Sequence, residues 1–237
     1  MLRRRNTVAV GLARRRAART KHYGVLVPWA NQVVETELPM WAAGQAIWHY
    51  ARLAPPGGGT ALTGDFLTGL VEAMPSGLYQ LSHLPLERVY LACTSAGFTQ
   101  QKTIKEATAR ASVDVVTAFD AITTTLRWFG LRTLALATPY PEEVIATEVT
   151  AFEALGFTVA AAASLGLDDG YADLTTSQII GLVRGIDARA LARADAVVLS
   201  CTGWPTRTAL AQLRHKLGCP MISSNLAICM HALRVVP

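Results

Sequence analysis

The chain of 237 residues lacks an apolar run of the roughly 18 residues that a membrane helix needs, despite 51% apolar residues and a mean hydropathy of +0.28. One of the longest runs, Phe157 to Leu167, is broken by Ser164 and Gly166. No stretch resembles the 7–15-residue apolar core of a secretory signal. None of the four cysteines (Cys93, Cys201, Cys219, Cys229) forms a C-x-x-C pair, which argues against a zinc site. A chain this long and apolar needs no disulfide framework, so free thiols in a reducing cytoplasm are expected. No G-x-G-x-x-G pattern opens a helix after a strand. Pro55-Pro56-Gly57-Gly58-Gly59 reads as a loop, not a phosphate cradle. Acids are missing from residues 1–22, which carry Arg3, Arg4, Arg5, Arg14, Arg15, Arg16, Arg19 and Lys21. The rest has 14 basic against 17 acidic residues, so the net +5 belongs to the N-terminal segment and the remainder carries −3. That segment reads as an unstructured extension or an upstream start; a transit peptide or nucleic-acid arm is the other reading. The acidic remainder argues against nucleic acid as a partner.

What is present is an internal repeat. VLVPWANQVVETEL (25–38) aligns with LATPYPEEVIATEV (136–149), Pro28 falling on Pro139 and Glu37 on Glu148. VYLACTSAG aligns with VVLSCTGWP, Cys93 on Cys201 and Thr94 on Thr202. VVTAFDAI (115–122) aligns with MISSNLAI (221–228). Three blocks in one order indicate a duplicated unit of about 110 residues. Short apolar runs over Tyr23–Val27, Val89–Ala92, Asp114–Ala118, Thr133–Ala137, Phe157–Ala163, Asp195–Ser200 and Pro220–Ser223 predict buried parallel strands. Helical patterns follow over Val33–Ala42, Pro141–Leu155 and Ser177–Ala192. Alternation of this kind predicts an α/β protein with parallel sheets. The halves are read as 23–130 and 131–237, after the extension 1–22.

Ligands of open parallel sheets bind beyond the carboxyl ends of the strands. Cys93 and Cys201 each follow a predicted strand directly, one per half. If the halves face each other across a pseudo-two-fold axis, both thiols reach one cleft, a geometry suited to chemistry on two faces of one carbon or one double bond. A helix is expected just beyond each motif, its free N–H groups lowering the thiol pKa and holding a carboxylate. Thr94, Ser95 and Thr202 add hydroxyl donors, and Gly203 keeps the second motif small. Cys219 and Cys229 read as packing residues.

PWANQVVETE, ACTSAGF, ATPY, SCTGWPT and PMISSN resemble the motifs of the aspartate/glutamate racemase superfamily. The branch they are most similar to is maleate cis-trans isomerase, with arylmalonate decarboxylase as its sister. The resemblance spans about 23–235. It implies two pseudo-symmetric Rossmann-like halves with an interdomain active-site cleft, the C-terminal helix packing on the first half. It implies Cys93 as nucleophile, Cys201 as partner acid, and Asn31 and Tyr140 as carboxylate donors. The decarboxylase branch keeps only the second cysteine and lacks the asparagine, so Cys93 and Asn31 argue for the isomerase side. Trp29 stands where a small polar residue is usual, Gly170 stands where a second carboxylate-holding asparagine is implied, and the stretch from Cys93 to Asp114 is shortened. A substrate other than maleate is compatible with these departures.

The expected function is a cofactor-independent isomerase of a small carboxylic or dicarboxylic acid. A racemase, a decarboxylase using Cys201 alone, or a small-acid sensor are the alternatives. No metal, cofactor, nucleic acid or membrane is expected, and homo-oligomerisation is left open. Asn225 reads as a turn or helix cap, and Arg52 fits acid binding and a surface ion pair equally. Lys102 and Lys105 read as a solvated face, and His22, His49, His83 and His215 lack metal-ligand spacing.

Overall fold

Each apolar run becomes a parallel strand with its neighbours already buried, which is why the central strands need no polar alternation. The structure, a computed structural model, describes residues 20–214 and 216–235. Residues 1–19 of the basic segment and His215 lie outside the described residues. In the first half run β1 (Lys21–Pro28), α1 (Val34–Ala42), β2 (Ala46–Leu53), α2 (Gly64–Leu81), β3 (Arg88–Leu91), α3 (Thr94–Thr99), α4 (Gln101–Thr108), β4 (Val115–Thr117) and α5 (Ala118–Trp128). In the second run β5 (Thr133–Thr138), α6 (Glu142–Ala154), β6 (Thr158–Ser164), α7 (Thr176–Gly185), α8 (Ala188–Arg193), β7 (Ala196–Leu199), α9 (Arg207–Leu213), β8 (Met221–Ser223) and α10 (Ser224–Leu233).

Two four-stranded sheets result, ordered β2-β1-β3-β4 and β6-β5-β7-β8, with every pairing parallel. The orders are the same when the halves are superposed in sequence, as a duplication requires. β3 and β7 lie inside their sheets, and β7 is buried along its whole length. Their carboxyl ends therefore open at the same edge as the loops after β1 and β5.

The halves are bound by side chains and by one shared core. α10 packs on α1 and α5 of the first half, and α3 packs on α6 of the second. Tyr23 donates its hydroxyl to the Ala232 carbonyl, and Tyr90 bonds His231 at 2.9 Å. A smaller apolar cluster seats α2 under the first sheet through Leu67, Leu70, Val71 and Met74. Gly77 lets α2 approach that sheet: a Cβ there would stand 2.8 Å from Leu26 and Leu53.

Three sequence expectations are corrected. The single helix over Ser177–Ala192 is two, because Ile186 and Asp187 are extended and the Asp187 side chain caps the next helix through the Ala190 N–H. No helix starts directly after Cys201; α9 begins only at Arg207. Asn225 caps nothing, since Ser223 caps α10; the Asn225 amide instead donates to Glu37 and to the Thr202 carbonyl. No helix among the described residues is long and apolar enough to cross a membrane.

Candidate active site

Cys93 is the N-cap of α3, with extended backbone carried straight from β3. Its sulfur shares a 3.4 Å hydrogen bond with the Ser95 hydroxyl and receives the backbone N–H groups of Ser95 and Ala96. Cys201 ends β7 differently. Its φ is +136°, a left-handed value that costs a non-glycine residue strain and persists only where neighbours impose it. Here the Cys201 N–H is fixed on Ser224 Oγ at 3.0 Å, and the Gly203 N–H points at the Cys201 sulfur at 3.2 Å. The Tyr140 hydroxyl bonds the same sulfur.

One cavity of about 290 Å³ is lined by both cysteines and by Asn31, Thr94, Ser95, Tyr140, Thr202 and Gly203. A larger hollow of about 430 Å³ lies between the ends of α2 and α4, but Arg110 is its single charged lining residue and it holds no thiol. The smaller cavity is therefore the candidate site. Cys219 and Cys229 do not line it, and all four thiols are free. Among the described residues no cluster of His, Cys, Asp or Glu is placed to hold a metal ion.

Three hydroxyls lock the halves together behind the thiols. Thr202 donates to the Ala92 carbonyl at 2.7 Å and accepts from Asn31 Nδ2 at 3.1 Å. Thr94 donates to Ser224 Oγ at 2.9 Å. In this state the hydroxyl hydrogens of Thr94 and Thr202 are thus spent within the protein. Asn31 Oδ1 accepts the N–H groups of Val33 and Val34, and its amide keeps a second N–H hydrogen without a partner among the described residues. Arg52, half-exposed, pairs with Glu35 and donates to the carbonyls of Trp29 and Asn31, so it braces the Asn31 loop from outside the cavity. Lys102 pairs with Glu106 on the surface, while His22 and His49 stack on each other.

The expectation that helix N–H groups lower the thiol pKa is overturned. Burial raises Cys93, outweighing its hydrogen bonds from Ser95 and Ala96. Burial also pushes Cys201 up to about 12, against the Gly203 N–H and Tyr140, and the nearby Cys93 and Glu148 add to the rise. Tyr140 is raised well above the usual phenol value, by burial first and then by Cys201, Glu148 and Cys93. α3 has only six residues, and no helix begins directly after the second cysteine, so desolvation wins at both sites.

Sequence reasoning missed two buried acids. Glu148 is fully buried, accepts from Ser200 next to Cys201, and is pushed up to about 8 by burial. Its Oε2 has no hydrogen-bond partner among the described residues. Glu37 accepts from Thr206, the Arg207 N–H and Asn225, all in the other half. The alignment of Glu37 on Glu148 in the repeat was the available signal: an acid kept on an apolar helix face in both copies.

The sequence profile described as arylmalonate decarboxylase matches residues 87–237. A maleate isomerase of Geobacillus stearothermophilus is 24% identical over 229 residues, covering 86% of this chain and 88% of the relative. The maleate isomerase Iso from Pseudomonas putida S16 superposes with a TM-score of 0.81 at 19% identity, covering 91% of this chain and 92% of that one. A Nocardia farcinica maleate cis-trans isomerase, solved as a cysteine-to-serine mutant with a covalently bound succinylcysteine intermediate, gives 0.79 at 20% identity, covering 92% and 95%. A crystal structure of arylmalonate decarboxylase gives 0.69 at 24% identity, covering 90% and 91%.

Proposed function

The chain belongs to the arylmalonate decarboxylase family, and within it we propose that this protein is a cofactor-independent, maleate isomerase-like enzyme acting on a small unsaturated acid. The observation that carries this reading is that two buried thiols from equivalent strand ends line one cavity of about 290 Å³. A decarboxylase needs one proton donor, and a sensor needs none.

Cys93, once its proton has left to solvent, adds as thiolate to one carbon of the double bond. The π pair moves to the neighbouring carbon, which takes the proton of Cys201. Rotation about the new single bond follows. The Cys201 thiolate then removes the proton, the double bond re-forms, and the C–S bond breaks to return the Cys93 thiolate. Electrons and protons balance between the two thiols and the substrate, so the scheme calls for no cofactor. A Cys201 pKa near 12 suits the residue that must hold its proton until the carbanion forms. The spare N–H of Asn31 holds a substrate carboxylate, and while Cys201 keeps its own proton the Tyr140 hydroxyl turns from that sulfur to the same carboxylate; Ser95 with the first-turn amides of α3 steadies the Cys93 side. The succinylcysteine held by the Nocardia farcinica relative supports the covalent step. The same reading places the enzyme in the cytoplasm, where its free thiols stay reduced, with no nucleic-acid or membrane partner.

Proton NMR in heavy water with a panel of mono- and dicarboxylic acids tests the reading. Conversion of a cis acid to its trans isomer is expected. Loss of carbon dioxide that survives Cys93→Ala would overturn it in favour of decarboxylation, and deuterium uptake at a saturated α-carbon would favour racemisation.

A further inference from the structure

The cavity is unequal along its length. Its inner end carries the two thiols with the neutral donors Asn31 and Tyr140. Its outer, solvent-facing end is walled by half-buried Leu62 and Phe66 of the first half and by exposed Asp169, Gly170 and Asp173 of the second, while Tyr171 of the same segment reaches inward to Tyr140. The two walls are fastened to each other, Leu62 N–H to the Asp168 carbonyl at 2.7 Å and Thr60 to the Asp169 carboxylate. Among the described residues no lysine or arginine lines the cavity, whereas two acidic residues, Asp169 and Asp173, line its solvent-facing end. The Thr60 hydroxyl, a donor in principle, is spent on Asp169. Gly170, at φ +72°, offers no side chain and has open space where a Cβ would stand. Gln32 is the remaining amide on this part of the wall. Acceptors thus outnumber donors at the outer end, and the charge there has one sign.

We infer that this outer end receives an uncharged group that donates hydrogen bonds, so that the preferred substrate is the monoamide of a cis-unsaturated dicarboxylic acid instead of the dicarboxylate. The inference rests on the isomerase reading above. One carboxylate is met at the inner end by Asn31 and Tyr140. A second, at the outer end, would face Asp169 and Asp173 without any cation to offset them. A primary amide fits both demands of that end. Its N–H groups can donate to Asp173, whose carboxylate accepts no hydrogen bond within the described residues, and its carbonyl can accept from Gln32. Its carbonyl also stays conjugated with the double bond and keeps the carbon open to thiolate addition, which an alcohol or an ammonium group in that place would not.

The test compares maleamate with maleate as substrates at 0.15 M salt and, separately, succinamate with succinate as saturated ligands whose binding is read by calorimetry. At least a 10-fold higher kcat/KM for maleamate is expected, together with tighter binding of succinamate. Asp173→Asn, which breaks no hydrogen bond of the fold, is expected to raise kcat/KM for maleate at least 3-fold. A wild-type preference for maleate, or equal losses on both substrates in Asp173→Asn, would overturn the inference while leaving the isomerase reading intact. Failure to isomerise either acid would instead strike the isomerase reading. In that case the two saturated ligands still decide the inference: tighter succinamate upholds it, and equal or tighter succinate ends it.

Discussion

Cys93 and Cys201 hold the same place in two copies of one unit, yet their surroundings have diverged. Cys93 sits on relaxed, extended backbone and takes its hydrogen bonds from the first turn of α3. Cys201 sits on strained backbone, takes one N–H from Gly203 and one hydroxyl from Tyr140, and has a buried acid close behind. Duplication supplied a symmetric pair of thiols, and the loops after the strands made them unequal. The helix that follows directly in one copy begins six residues later in the other. Unequal thiols suit the unequal duties proposed for them, in which one ionises to attack and the other keeps a proton to give.

Replacing each cysteine in turn breaks that comparison most sharply. Cys93→Ala is expected to reduce isomerisation by 10³-fold or more, since the one other thiol lining the cavity, Cys201, is held protonated by burial. Cys201→Ala is expected to lose turnover as severely but to accumulate a covalent adduct on Cys93, seen by intact-mass spectrometry as the mass of one substrate. Adduct on the wild-type chain's other cysteines, or none in Cys201→Ala, would mean the duties are assigned wrongly. Because burial raises both thiols, alkylation of Cys93 by iodoacetamide should accelerate with pH from 7 to 9, and Cys201 should lag throughout that range.

Next in size is the support under Cys93. A Cβ at Gly97 would stand 2.9 Å from Phe119 Cβ and from Thr117 Oγ1, where α3 lies against the start of α5. Gly97→Ala is expected to cost about 1–3 kcal/mol and to tilt α3 away from its place. Thermal unfolding measures the first effect, and Cys93 alkylation rate the second. Cys201 has no such helix beneath it, so its reactivity should be unchanged in this variant.

Much of this arrangement is legible in the sequence, and what is not has physical causes. β1, β3, β5 and β7 are short apolar runs ending in proline or cysteine, so their burial and their shared edge can be read directly. β2 is harder, because His49, Tyr50 and Arg52 interrupt its apolar pattern on an edge strand with one face half-exposed. α2 is masked by Gly69, Pro75 and Gly77, residues that ordinarily break helices but here permit close approach to Pro55 and to the sheet. Cys93, Cys201, Asn31 and Tyr140 are visible through repeat position and motif. The sign of the thiol shifts is not, since it depends on burial that no local pattern encodes. The fastening of Leu62 to Asp168 joins segments more than a hundred residues apart and leaves no local trace.

A smaller effect sharpens the difference on the Cys201 side. Glu148 is held up to about 8 by burial, against an ordinary value of 4.5. The folded chain therefore keeps a proton that the unfolded chain has released between those values. The sign follows: this stability contribution is complete below pH 4.5 and is lost as pH rises through 8, at about 1.4 kcal/mol per pH unit at most. Glu148→Gln keeps the acceptor for Ser200 and cannot ionise. Its melting temperature is expected to match the wild type near pH 5 and to exceed it near pH 9. It should also lower the Cys201 pKa, since the ionised acid is one of the charges raising it. Parallel melting curves across the whole range would remove Glu148 from the account.

The smallest effect compares how each half secures the residue proposed to hold the substrate. In the second half the Ser164 hydroxyl, at the end of β6, grips the Tyr140 carbonyl. In the first half Arg52, near the end of the corresponding strand β2, grips the carbonyls of Trp29 and Asn31 at 2.8 and 3.1 Å and spends its other nitrogen on Glu35. The ion pair itself, being half-exposed, is worth less than about 1 kcal/mol. The fork geometry matters more, because a lysine ammonium cannot hold two carbonyls and a carboxylate in one plane. Arg52→Lys is therefore expected to raise KM by about 2- to 5-fold through a looser Asn31, with kcat within about 2-fold of wild type and little change in melting temperature. Steady-state kinetics on the acid identified as substrate reads this split. An equal fall in kcat would show that Arg52 acts on the reacting atoms' environment and not merely on the loop that binds the carboxylate.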